Sequence, residues 1–157
     1  MSTQPTNMDD VIDSRDVIAR LEELQDEQRD LAQAVEEAQA AFNDADGIDA
    51  RDEAMDWLTG AENALSEWEA DNLEELEALR ELNEQGEDYA PDWRHGETLI
   101  RDSYFEQYAE ELAEDIGAVQ RGAQWPNNCI DWAQAARELQ QDYTQIDFDG
   151  VSYWVRG

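Results

Sequence analysis

VIARLEELQDEQRDLAQAVEEAQAAF, residues 17 to 42, is the stretch whose reading decides the fold. Val17, Leu21, Leu24, Leu31, Val35, Ala38 and Phe42 recur at steps of four and three, with Gln28 in the one gap. That is a heptad seam over nearly four repeats, a single apolar stripe on a charged helix. Ser14 stands where an N-cap is needed, and Asn43-Asp44-Ala45-Asp46-Gly47 supplies the turn formers that end the pattern. A second pattern follows: Met55, Leu58, Ala61, Leu65 and Trp68, then Leu73, Leu76, Leu79 and Leu82, closing near Gly86 and Pro91. Its phase drifts at Asp71-Asn72, where Asn72 and Glu75 have capping-box spacing and predict a kink or restart. Two seams joined by a short turn predict a long antiparallel, coiled-coil-like helical hairpin over residues 14–88.

Outward from that hairpin the pattern changes. Residues 1–13 are polar and acidic and read as a disordered N-terminus. Residues 89–157 read as a small α+β domain with two helices and a C-terminal β-hairpin. Ser103 with Glu106 has the form of a capping box opening a helix with Phe105, Tyr108, Leu112 and Ile116 on one face, ended by Gly117. A loop carrying Trp125-Pro126-Asn127-Asn128 follows, and Asp131 with Gln134 opens a second helix. TQIDF, Asp149-Gly150 and VSYWV then form a hairpin with a type I′ turn. Its register puts Ile146, Phe148, Val151, Tyr153 and Val155 on one face, expected to lie on the two helices, since a lone two-stranded ribbon is marginal in water. The fold class is mainly α.

Charge narrows the function. The chain has 157 residues, 41 acids, ten arginines, no lysine and a formal net charge of -31. A small soluble domain needs a net magnitude of only roughly 2–8. Such self-repulsion destabilises a compact state and so calls for a reason. Residues 1–90 carry 28 acids and five arginines, net -23, while residues 91–157 carry only -8. Nucleic acid and anionic lipid are excluded as direct partners by repulsion; the complement is a basic surface, of the kind that binds nucleic acid. Six tryptophans and five tyrosines argue against simple disorder. No apolar run has membrane-spanning length, and MSTQPTNMDD lacks the basic and apolar regions of a signal peptide. A cytoplasmic, reducing setting is expected.

The sequence carries few residues of catalytic or metal-binding type in a telling arrangement. His95, the only histidine, reads as a surface residue beside Gly96, and Cys129, the only cysteine, as a buried small apolar residue. No nucleophile elbow, P-loop or dinucleotide fingerprint is present, so neither an enzyme nor a cofactor is expected. With Gly47 as turn glycine, Asp44, Asp46 and Glu53 fall at EF-hand positions, but Phe42 occupies the first ligand position and no metal is assigned.

A hairpin of about 35 residues per arm is about 50 Å long, so the 28 acids of residues 1–90 give roughly one charge per 1.8 Å of it, near the ~1.7 Å of duplex DNA. Asp26/Asp30 and Asp52/Asp56, at i,i+4 spacing, form rows on the outer faces. The residues expected to bind a partner are Asp26, Asp30, Glu36, Glu37, Asp52, Asp56, Glu62, Glu69 and Asp71.

In the second half, Tyr108, Ala109, Leu112, Ala113, Glu114, Asp115 and Gly117, then Asp131, Trp132, Ala136, Leu139, Asp142 and Tyr143, match an aromatic-YA-x-x-LAED-x-G segment and a following D-aromatic helix ending in D-Y. Over roughly residues 97–156 the chain resembles the C-terminal region of ArdA-type antirestriction proteins. The resemblance implies an acidic, dimeric DNA mimic, encoded on phages or mobile elements, that occupies the DNA site of type I restriction–modification enzymes. The N-terminal half departs from that family, whose corresponding domain contains β-structure.

The combined expectation is a non-enzymatic inhibitor that fills the DNA site of a host restriction or CRISPR enzyme with carboxylates, with a homodimer among its expected states. The alternative is a coiled-coil adaptor or structural protein with a halophile-like acidic surface. Uneven charge argues against salt adaptation, which coats a whole surface, and the scarcity of positive flanking residues argues against an ordinary coiled coil.

Overall fold

Both apolar seams are helices in the computed structural model, which describes residues 4–120 and 122–157. A three-residue strand β1 (Val11–Asp13) leads into α1 (Ser14–Asp44), and α2 (Ile48–Tyr89) follows after only three linking residues. Gly47 sits at φ +92° in that link, a conformation that glycine adopts without the Cβ clash other residues suffer. The chain forms two compact units: residues 20–78, and residues 79–157 together with the described residues up to 19. Residues 14–19 and 79–89 of the long helices therefore belong to the α+β unit, whereas the sequence placed its boundary at the helix ends. Among the described residues no helix is long and apolar enough to cross a membrane.

The unit of residues 20–78 is an antiparallel helical hairpin. Arg20 bonds Glu75 and Trp68 bonds Glu27, so seven residues forward on α1 match seven backward on α2. Leu21, Leu24, Ala38, Ala54, Leu58 and Leu76 are buried in the seam, while Leu31, Val35, Leu65 and Trp68 are half-buried. Ala54, not Met55, takes the seam position near the turn; Met55 is exposed. The restart expected as one outcome at Asp71-Asn72 is absent, for α2 runs unbroken. Asn72 Nδ2 donates to the Trp68 carbonyl at 2.9 Å, which satisfies the side chain inside the helix instead of ending it.

The α+β unit holds a four-stranded antiparallel sheet, ordered β1-β2-β4-β3, with β2 at Thr98–Arg101, β3 at Tyr143–Phe148 and β4 at Val151–Arg156. Asp149 and Gly150 both have positive φ, the signature of the expected type I′ turn. The first two strands correct the sequence reading. Val11–Asp13 pairs with Thr98–Ile100 instead of being disordered; residues 1–3 of that segment lie outside the described residues.

Two short helices, α3 (Phe105–Asp115) and α4 (Trp132–Leu139), complete the unit. Asp131 caps α4 as expected, accepting the Gln134 amide hydrogen, but the Gln134 side chain turns to Glu138 and leaves the box half formed. A single 3-10 turn, Asp102–Tyr104, precedes α3, so Ser103 makes no cap. Gly117, at φ +77°, ends that segment as expected, with the Ala118 amide reaching back to the Ala113 carbonyl.

The two helices lie on the opposite sheet face from the one expected. Ile100, Phe105, Ala109 and Ala136 form a buried cluster with Tyr143, Leu139 and Trp154 against it, and Phe105 meets the Tyr143 and Trp154 rings at 5.3 and 5.9 Å. Ile146, Phe148, Tyr153 and Val155 do share a face and are buried, with Ile12 and Leu99, on the other side. The last turns of α2 run beside that sheet: the Gln85 amide accepts from the Asp147 N–H and donates to its carbonyl, both at 2.9 Å, pairing an edge strand that would otherwise be open. Ser14, expected to cap α1, is fully buried; its hydroxyl donates to the Trp93 carbonyl at 2.7 Å and accepts the Glu97 amide hydrogen at 2.6 Å. Asp13 takes the capping role, accepting the Arg15 amide hydrogen.

Candidate anionic interface

A heptad helix must turn its charged positions away from its seam, and the hairpin does so on both arms. Residues 20–78 contain twenty acids and three arginines, net -17. Seventeen of those acids are exposed; Glu23, Glu69 and Glu75 are half-buried. At 100° per residue, Asp26, Asp30, Glu37 and Asp44 fall within about 40° of one another on the outer face of α1. On α2, Asp49, Asp56, Glu67 and Glu74 fall within about 20°.

The positive charges are used internally. Arg20 holds Glu75 with Nε and Nη2 at 3.0 and 2.9 Å and reaches Glu23 at 3.3 Å. Hydrogen bonding to Glu75 raises the Arg20 guanidinium above its ordinary range, so it stays charged throughout. Arg29 pairs with Asp26 at 3.0 Å, and Arg51 lies over the Phe42 ring at 5.5 Å. The charged groups that face outward from both helices are therefore overwhelmingly carboxylates.

Of the nine residues read from the sequence, Asp26, Asp30, Glu36, Glu37, Asp52, Asp56, Glu62 and Asp71 are exposed, and Glu69 is half-buried. Asp26, Asp30 and Glu37 share one row and Asp56 stands in the other, with Asp52 and Asp71 beside it. Glu62 and Glu69 stand next to the seam. The sequence reading missed Asp44, Asp49, Glu67 and Glu74, which heptad spacing from Glu37, Asp56 and each other would have found. Twenty acids along the longer arm, about 46 Å at ~1.5 Å per residue, give one per ~2.3 Å. That is sparser than the expected 1.8 Å, because eight of the 28 acids belong to the other unit.

The remaining chemical candidates separate. Cys129 is exposed, contrary to expectation, with its thiol at 3.4 Å from Asn128 Oδ1. His95 lies exposed in the turn Trp93–His95. The EF-hand reading fails on length: the helices approach to within three residues, Glu53 is already inside α2, and Phe42 lies beneath Arg51. Among the described residues, no three acids, histidines or cysteines come together to hold a metal ion.

No family model matches the chain, and no curated protein or solved structure matches it either.

Proposed function

We propose that this protein is a DNA-mimic inhibitor, encoded by a phage or mobile element, that occupies the DNA-binding site of a host restriction–modification or CRISPR enzyme in the cytoplasm. The observation that carries the reading is the pair of exposed carboxylate rows on a hairpin whose three arginines are all engaged within it. Basic side chains that would grip phosphates pair with Asp and Glu instead, drawn in by long-range attraction and held without turnover or cofactor. The resemblance of residues 97–156 to ArdA-type proteins supports the same reading and, with it, a dimer.

The test is competition. A fluorescent duplex bound to a type I restriction enzyme, or to a CRISPR effector, is titrated with the protein between 50 and 500 mM NaCl. The expected result is displacement of the duplex with an affinity that falls steeply with salt. A ternary complex that keeps its DNA, or binding indifferent to salt, would overturn the reading.

The half-buried seam side chains Leu31, Val35 and Leu65 favour a second reading, an adaptor that accepts a partner helix. Such binding tolerates salt and is lost when Val35 is made polar.

A further inference from the structure

One aromatic side chain breaks the carboxylate surface of the hairpin. Trp57 is 48% exposed in the third turn of α2, among exposed acids. Its neighbours one turn away are unequal. Glu53 lies at i-4, on the side towards which a helical side chain leans, and Gly60 lies at i+3. Gly60 is helical and exposed, and a Cβ built there would meet nothing within 4 Å. Glycine within a helix costs about 1 kcal/mol relative to alanine, and here no packing inside the fold requires it. Ala64, one turn further on, is also exposed and carries only a methyl group. A bare strip of helix therefore follows Trp57 on its C-terminal side, with Glu53 one turn before it and Asp56 next to it in sequence.

We infer that Trp57, Glu53 and the bare strip at Gly60 and Ala64 form a seat for an arginine side chain of a basic partner. The guanidinium stacks on the indole face and donates to the Glu53 carboxylate. Arginine suits the seat better than lysine because its planar, weakly hydrated cation both stacks and forks to carboxylate. The hairpin already contains the same chemistry in its own chain, where Arg51 lies over Phe42. Charge complementarity selects the occupant: in a unit of net -17, an exposed ring flanked by acids repels a second copy of the hairpin and attracts a cation. The seat deepens the DNA-mimic reading by adding a short-range anchor to a long-range electrostatic surface.

The experiment uses nona-arginine and nona-lysine as probes, titrated against the full chain at 150 mM NaCl. Wild type is expected to prefer nona-arginine, and Trp57→Ala to reduce that preference about three- to tenfold. The salt dependence of binding stays unchanged, because no charge has been altered. Gly60→Leu fills the strip while improving helix propensity, so it must reduce the preference without loss of stability, which separates the seat from a folding defect. An unaltered preference in either variant overturns the seat, as does Trp57→Ala acting only by dissociating a self-associated species in sedimentation. Failure of the competition assay with loss of the arginine preference intact would instead overturn the inhibitor reading and leave the seat standing.

Discussion

Arg20 and Glu75 meet across the hairpin as a two-pronged pair, guanidinium edge to carboxylate, with side chains only 16% and 24% exposed. It is a cross-helix contact at a point where α2 places a glutamate near the seam. Arg20→Met leaves Glu75 among like charges and is expected to cost about 1.5–2.5 kcal/mol, while Glu75→Gln, which also relieves repulsion, costs about 0.5–1. A double-mutant cycle by urea unfolding should give a coupling of about 1–2 kcal/mol; a value near zero would show the pair to be ornamental.

Salt acts on the rest of the surface in the opposite sense to its effect on partner binding. Self-repulsion among 41 acids opposes the compact state, and screening relieves it. Raising NaCl from 20 to 500 mM should lift the melting temperature of the isolated protein by several degrees, read by circular dichroism. A melting temperature that stays flat or falls would mean that attractive pairs outweigh repulsion.

The carboxylate rows should behave collectively. Asp26→Asn alone is expected to change binding to the target enzyme less than threefold, because many exposed charges share the work. Asp26, Asp30, Glu37 and Asp44 changed together to their amides should weaken it by more than tenfold and reduce the salt slope. Equal effects from four amides scattered off the rows would deny any role to their order.

Ser14 is a buried hydroxyl with two backbone partners on a segment 79 and 83 residues away. Ser14→Ala strands the Trp93 carbonyl and the Glu97 amide, and is expected to cost about 1–3 kcal/mol in a denaturant titration. An unchanged midpoint would mean that water replaces the hydroxyl without penalty.

Burial pushes the Tyr153 phenol up to about 12, and its hydroxyl donates to the Asp9 carbonyl. The unfolded chain ionises near pH 10 while the folded one resists, so the contribution is complete below pH 10 and is lost as pH rises towards 12. Burial raises Tyr143 in the same direction. Unfolding free energy measured from pH 9 to 12 should fall over that window, and Tyr153→Phe should flatten part of the fall. An identical slope in the variant would place the titration elsewhere.

What was legible in the sequence was local. Heptad steps along residues 17–42 and 55–82 required two helices, Asn43 to Gly47 required a turn, Asp149-Gly150 a tight hairpin and Asp131 a cap, each set by groups within a few residues of one another. The outward acids followed from the same helical period, although Glu69 is half-buried beside the seam. Tertiary structure alone decided the rest. β1 and β2 are three and four residues long, too short to show an alternating pattern, and their pairing closes a loop of more than eighty residues. Alternation in β3 and β4 separates two faces but says nothing of which layer covers each, and here both are covered. Ser14 reads equally well as a cap or a cross-link until Trp93 and Glu97 are beside it, because a hydroxyl's role is set by whichever partners the fold brings within 3 Å.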